Sequence, residues 1–157
     1  MSVQSFDEIR DDFAARVKRI VWATVSTQDT AGRLRSRMLH PIWEEATGWI
    51  LTGRNSLKAK HIAANAFVSL TYWDPQHEQI IADCQATWQD DVDEKQRIWD
   101  LFKSTEPPLG YDPGLFFTDG AAHPECGLLK LDPWRIELWT IGELMQGKPP
   151  KVWRPRK

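Results

Sequence analysis

The residues best placed to do chemistry lie where an apolar run ends. Gly48-Trp49-Ile50-Leu51 leads into Thr52-Gly53-Arg54-Asn55-Ser56-Leu57-Lys58-Ala59-Lys60, which reads as a strand closing at Thr52, a short turn, and a helix opening at Ser56. Hydroxyls at Thr52 and Ser56, the free amides of a helix start and the Lys58 ammonium can converge on one anion there, because a helix N-terminus presents unpaired N–H groups and a positive dipole end. The plain alternative makes Ser56 an N-cap and Lys58 a solvated first-turn residue. Upstream, Arg33, Arg35 and Arg37 alternate along an extended segment and so project from one face. Like charges arranged in that way need either solvent or an anion. An antiparallel placement beside Trp49–Thr52 brings Arg37 towards Thr52, Ser56 and Lys58, where the guanidinium gives bidentate contacts to phosphate and the lysine a point charge.

Other chemistries have less behind them. His40, His61, His77 and His123 stand at no metal-ligand spacing, and Cys84 and Cys126 form no CxxC pair, so a structural metal is not expected. Asp90-Asp91-Val92-Asp93-Glu94 suits the acidic first turn of a helix better than a cation site. No nucleophile elbow, Walker A or dinucleotide-binding glycine motif is present. The nine tryptophans sit mostly in strand-like segments, as packing residues do, with some left to line a flat ligand.

The elements that must position these groups follow from pattern. Phe6, Ile9, Phe13, Val17 and Ile20 recur at helical spacing behind Ser5, predicting an N-terminal helix over 5–19. Val21–Thr27 and Arg33–Trp43 flank turn residues and predict a hairpin, with Trp49–Thr52 a third strand and Ser56–Ala64 a helix. Phe67–Trp73 and Gln79–Trp88 predict a second hairpin about Asp74-Pro75-Gln76-His77, and a helix runs from about Val92 to Lys103. Glu106 to Pro113 carries several chain breakers and must wrap over something. Gly127–Leu131 and Arg135–Thr140 read as a final strand pair turning at Asp132-Pro133-Trp134. Hairpins with single helices between them suit a mainly β, closed or partly closed antiparallel barrel with helices at its ends.

At 157 residues the chain suits one domain, 1–157, with a helix over 1–19 and a basic tail over 142–157 expected to order only by docking on a neighbour. A formal charge of −2 argues against a nucleic-acid partner. No apolar run nears the roughly 20 residues of a membrane helix, and the charged N-terminus and unpaired cysteines point to a soluble, cytoplasmic protein.

Taken together, Gly32–Met38, Trp49–Thr52, Asn55–Lys58, Asn65–Asp74 and Ile136–Trp139 resemble the pyridoxamine 5'-phosphate oxidase-like flavin-binding split-barrel proteins, and within them the general stress protein branch. The resemblance implies a six-stranded antiparallel split β-barrel with peripheral helices, a homodimer, and flavin mononucleotide (FMN) at the subunit interface, acting on a small molecule. It implies phosphate contacts from Arg37, Ser56 and Lys58, with Met38 and Leu39 beside the ring, Leu51 and Thr52 at the strand end, and Trp139 approaching the cofactor. Leu57 stands where many such enzymes carry a base, a loss that Arg35 or Arg54 could compensate. The stretch Gly142–Pro149 lacks the histidine and arginine pair that holds pyridoxamine phosphate, so that substrate is not expected. Two alternatives stay open on the same residues: a deazaflavin coenzyme, whose longer anionic tail would call on Arg33, Arg54 or Lys60, and a non-catalytic binding protein for haem or another partner.

Overall fold

The computed structural model describes residues 1–156. Six long strands carry the architecture: β1 (Ala23–Gln28), β2 (Leu34–Leu39), β4 (Thr47–Gly53), β5 (Phe67–Trp73), β6 (Glu78–Gln89) and β7 (Cys126–Thr140). Two three-residue strands, β3 (Ile42–Glu44) and β8 (Lys151–Trp153), complete it. Every named ladder is antiparallel, in the order β2-β1-β5-β6-β7-β4-β3, with β8 also on β7.

The path of that sheet explains its shape. β2 and β3 lie at opposite ends of the order, yet only His40 and Pro41 separate them in sequence. Leu39 and Ile42 are therefore at most about 11 Å apart, and the sheet has to roll up to bring its two ends together. They meet without pairing, which leaves a seam between β2 and β4: a split antiparallel barrel of mainly β structure with peripheral helices.

Helices fill the roll. α1 (Arg10–Ile20) drives Phe13 and Val17 into a core with Val25, Leu70, Ile80 and Leu138, joined by Ile62 of α2 (Leu57–Ala64). A second core sits under α3 (Val92–Ser104), where Ile98, Trp99 and Phe102 meet Ile42, Trp49, Leu51 and Leu128. As the acidic pattern predicts, Asp91 caps α3 by accepting the Glu94 amide at 2.8 Å. The first helix starts later than Ser5: a 3₁₀ turn over Phe6–Glu8 precedes it, closed by the Glu8 carboxylate on the amides of Gln4 and Ser5. A short α4 (Ile141–Met145) follows β7.

Three expectations are corrected. Asp132-Pro133-Trp134 is no turn, since β7 runs straight through it. Pro133 falls after Leu131, the last residue paired with β4, and before Ile136, the first paired with β8; Asp83 and Cys84 of β6 pair with Arg135 and Pro133, which leaves Trp134 as the extra residue of a bulge in β7. A bulge tolerates the missing N–H and bends the strand instead of ending it. Arg37 does not reach the phosphate turn by strand pairing either, because β2 pairs with β1 and it is β3 that pairs with β4. Finally, the tail docks on its own chain: β8 pairs with β7, Val152 exchanges hydrogen bonds with Met1 and Val3, and Trp153 meets Phe6 edge-on at 5.2 Å.

Candidate functional site

A cavity of about 680 Å³ opens at the seam, within the roughly 300–1,000 Å³ usual for small-molecule sites. One wall is strand: Met38 and Leu39 from β2 face Leu51, Thr52 and Gly53 from β4. The other is loop: Pro108, Tyr111, Leu115, Phe116 and Phe117. Trp22 and His40 stand between them. Seam and cavity share one cause, the unpaired meeting of the two sheet ends.

Beside the strand wall lies a cluster of positive charge. In the β1–β2 register Val25 faces Arg37 and Thr27 faces Arg35. Arg37 donates to Thr27 Oγ1 at 2.8 Å and to the Val25 carbonyl at 3.1 Å. Buried Thr27 is in turn held by buried His61 of α2, Oγ1 to Nδ1 being 2.9 Å. Ser56 occupies the N-cap position of α2 without capping it. Its hydroxyl accepts the Lys58 ammonium at 3.0 Å instead, leaving the first-turn amides without a side-chain partner.

These cations oppose one another. Burial, and after it the charge of Arg35, pull the Arg37 guanidinium below its ordinary value; burial, and after it Arg37, do the same to Lys58. Among the described residues no carboxylate pairs with Arg35, Arg37 or Lys58, whereas Arg33 is paired with Asp29 at 2.9 Å and Arg54 with Asp90 at 3.1 Å. The alternation of arginines is thus broken by the first of them: Arg33 precedes β2 and turns back into the hairpin loop, where Asp29 also accepts its amide. Arg54 lies over the Trp88 ring at 4.8 Å and is not free to replace the base missing at Leu57, which is 54% exposed. Two partly desolvated cations, Arg37 and Lys58, with exposed Arg35 beside them, hydroxyls at hand and no acid, fit a phosphate monoester.

The loop wall is built differently. It follows α3 and turns at Gly110, where an added Cβ would lie 1.7 Å from the Thr105 carbonyl oxygen, so only glycine permits that approach. Tyr111 donates its amide to the Phe102 carbonyl, and the two rings meet at a tilt with centroids 5.0 Å apart. His40 donates from Nε2 to the Leu109 carbonyl at 2.6 Å, which ties the β2 end to the loop. Burial pushes His40 below the ordinary histidine value and Tyr111 up to about 12; both face the cavity uncharged near neutral pH. On the far side, Val21 adopts φ 69°, ψ −59°, with Trp22 N–H donating to the Ile20 carbonyl at 2.8 Å. This is a γ-turn in a conformation that strains a β-branched residue by about 1–3 kcal/mol, and it sets Trp22 on the cavity rim.

Of the residues singled out from sequence, Met38, Leu39, Leu51 and Thr52 line the cavity, and Arg35, Arg37, Ser56 and Lys58 gather beside it. Trp139 does not join them. Thr52 pairs with Gly127, and Trp139 lies farther along β7, paired with Gln79, on the order of 40 Å of strand away. Trp22, His40, Tyr111 and the Thr27–His61 support were not picked out as site residues. The aromatic composition of Tyr111–Phe117 was a visible signal for the loop wall, but nothing in the sequence pairs Thr27 with His61.

No family model matches the sequence, and no curated protein does. Solved structures do match the fold. A protein from Clostridium acetobutylicum related to general stress protein 26 of the pyridoxinephosphate oxidase family superimposes with a TM-score of 0.74 at 10% identity, over 94% of this chain and 95% of that one. A pyridoxamine 5'-phosphate oxidase-related, FMN-binding protein from Nostoc punctiforme gives 0.66 at 16% identity, over 95% and 97%. General stress protein 26 from Bacillus anthracis gives 0.59 at 17%, over 80% and 92%. The chain has the fold of the pyridoxamine 5'-phosphate oxidase-like proteins.

Proposed function

We propose that this chain is an FMN-binding oxidoreductase that acts as a homodimer on a small molecule other than pyridoxamine phosphate. The observation that carries the reading is the uncompensated cluster of Arg35, Arg37 and Lys58 beside an apolar cavity. Arg37, Lys58 and the Ser56 hydroxyl hold the phosphate, Arg35 adds charge at the rim, and Leu57 contributes only cover. Met38, Leu39, Leu51 and Thr52 lie along the ring system. Bound there, the flavin supplies hydride or electron transfer, while the chain's own residues orient it and exclude water. An FMN-binding protein among the solved structures sharing this fold supports the assignment.

A deazaflavin is the weaker reading, because two of the cations its longer tail would need, Arg33 and Arg54, are held by Asp29 and Asp90. The dimer is supported by the barrel's outer face. Met38, Phe67 and Trp73 are more than half exposed there, while α1 and α2 pack on the inner side. A second copy seated on that face gives Trp139 a route to a cofactor its own chain cannot offer it.

The test is the absorption spectrum of protein purified without added cofactor, with identification of whatever heat releases, followed by titration of the Arg37→Ala/Lys58→Ala double variant. Two lost charge-assisted contacts at about 1.5–3 kcal/mol each weaken FMN at least about 100-fold, while riboflavin, lacking the phosphate, changes little. Unchanged FMN occupancy in the folded variant overturns the reading. Sedimentation of the wild type tests the dimer, and a monomer overturns it.

A further inference from the structure

We infer that the loop side of the cavity binds a second small molecule, a flat, uncharged aromatic compound whose single hydroxyl or N–H group donates to His40 Nδ1. The inference rests on the reading of the strand side as the flavin side, and it assigns a ligand class to the space that remains.

The walls select for shape. Trp22 and Tyr111 flank the His40 ring at 5.1 and 4.8 Å, and Phe116 meets Tyr111 edge-on at 6.0 Å. A run of aromatic faces and edges favours a planar π system over a branched aliphatic one.

Charge is selected against. Arg19 is the one lining residue that carries a full charge, and Asp74 and Glu78 both bind its guanidinium. The free cations belong to the phosphate end. A carboxylate or phosphate on the loop side would lose its hydration and find no partner.

Polarity is confined to a few atoms, and His40 is the one with a fixed role. Its Nε2 faces a carbonyl, an acceptor only, so the proton sits on Nε2. Nδ1 has no hydrogen-bond partner among the described residues. Among the described residues the one sealed side-chain polar atom without a partner is Trp88 Nε1, so His40 Nδ1 is accessible, and His40 is one of the residues that line the cavity. The half-buried ring resists a second proton, which leaves Nδ1 presenting a lone pair near neutral pH. A donor on the ligand satisfies it. A ligand with an ether or a methyl group in that place leaves a desolvated acceptor unpaired, the more costly half of a broken hydrogen bond.

The experiment titrates wild-type protein, in the flavin state in which it is purified, with 2-naphthol, 2-methoxynaphthalene and 2-naphthoate by calorimetry, with flavin content read separately from visible absorbance. The expected result is 2-naphthol at least about 10-fold tighter than the methyl ether and 2-naphthoate weaker than both. His40→Leu brings naphthol and ether within about 3-fold of each other, and His40→Gln, which keeps a donor for the Leu109 carbonyl and an acceptor beside it, restores the preference. Equal binding of naphthol and ether by the wild type, tightest binding of the carboxylate, or a preference that survives in folded His40→Leu overturns the site. Should His40→Leu fail to fold, the wild-type and His40→Gln ratios decide, a ratio near one in either overturning it. A His40-dependent preference in protein with no affinity for FMN supports the site and overturns only the flavin reading.

Discussion

Two populations of cations occupy this molecule, and their environments differ in kind. Arg16, Arg54, Arg97 and Arg135 each sit against a carboxylate, at 2.7, 3.1, 2.9 and 3.1 Å from Asp12, Asp90, Glu44 and Asp83. Among the described residues no acid pairs with Arg35, Arg37 or Lys58, and burial and mutual repulsion depress two of the three. A fold selected for stability alone would not desolvate like charges side by side, since that costs free energy which an aliphatic residue would not. The first set therefore holds the structure together, and the second is held in place by it. Arg16 shows the contrast best: only 5% exposed, it donates to the carbonyls of Gln79 and Trp139 at 2.9 Å each and ties α1 to one rung of the β6–β7 ladder.

Exchanging the roles of the two sets is the most direct way to break that contrast. Arg16→Ala strips a partner from half-exposed Asp12 and from two carbonyls, and leaving buried acceptors unpaired costs about 1–3 kcal/mol, read as a fall in the denaturation midpoint. Arg37→Ala leaves that midpoint unchanged or raises it, while FMN affinity drops. Comparable destabilisation by both would mean Arg37 is structural and the division false.

A smaller effect sharpens the line between holding and being held. Thr27 touches no cavity wall, yet it receives Arg37 and is itself fixed by His61. Thr27→Val keeps the shape and removes that acceptor, so it should weaken FMN about 10-fold, the cost of one lost hydrogen bond near 1.4 kcal/mol. Riboflavin affinity stays as it was. Equal weakening of both ligands would show that Thr27 supports the barrel and not the arginine.

Much of this was legible in the residues, and the gaps have physical reasons. Helix α2, helix α3 and the turns of both predicted hairpins follow from local periodicity and turn chemistry, which short-range sequence carries, but the strand expected over Arg33–Trp43 breaks at His40-Pro41 into β2 and β3. Arg37, Thr52, Ser56 and Lys58 could be nominated as one group, but the expected route between them, a β2–β4 ladder, does not exist. Their approach comes from the closing of the roll, a property of the whole sheet order that no window contains. Asp132-Pro133-Trp134 misled because proline ends a ladder in most settings, and only a bulge at Trp134, in β7 itself, lets the strand continue. Histidine spacing gives His40 no ligand role, and its actual partner, the Leu109 carbonyl, lies far along the chain and has no side-chain signature.

The smallest expected effect concerns the aromatic side of the cavity, where the cation cluster does not reach. His40 is depressed below the histidine range by burial, and its one counteracting contact, the Leu109 carbonyl, does not reverse the sign. The unfolded chain titrates this group near 6.5, so as pH falls below about that value the unfolded state takes up the proton first and stability is lost until the folded group titrates in its turn. Above the unfolded value the contribution is fully present. Asp29, held below the usual carboxylate range first by the Arg33 amide, acts only in a more acidic window and does not interfere. His40→Gln removes the titrating group and keeps the hydrogen bond, so urea midpoints at pH 7.5 and 5.5 should converge for the variant relative to the wild type. An equal fall in both proteins would place the acid sensitivity elsewhere, and would mean that the ring takes up its proton as readily in the folded chain as in the unfolded one.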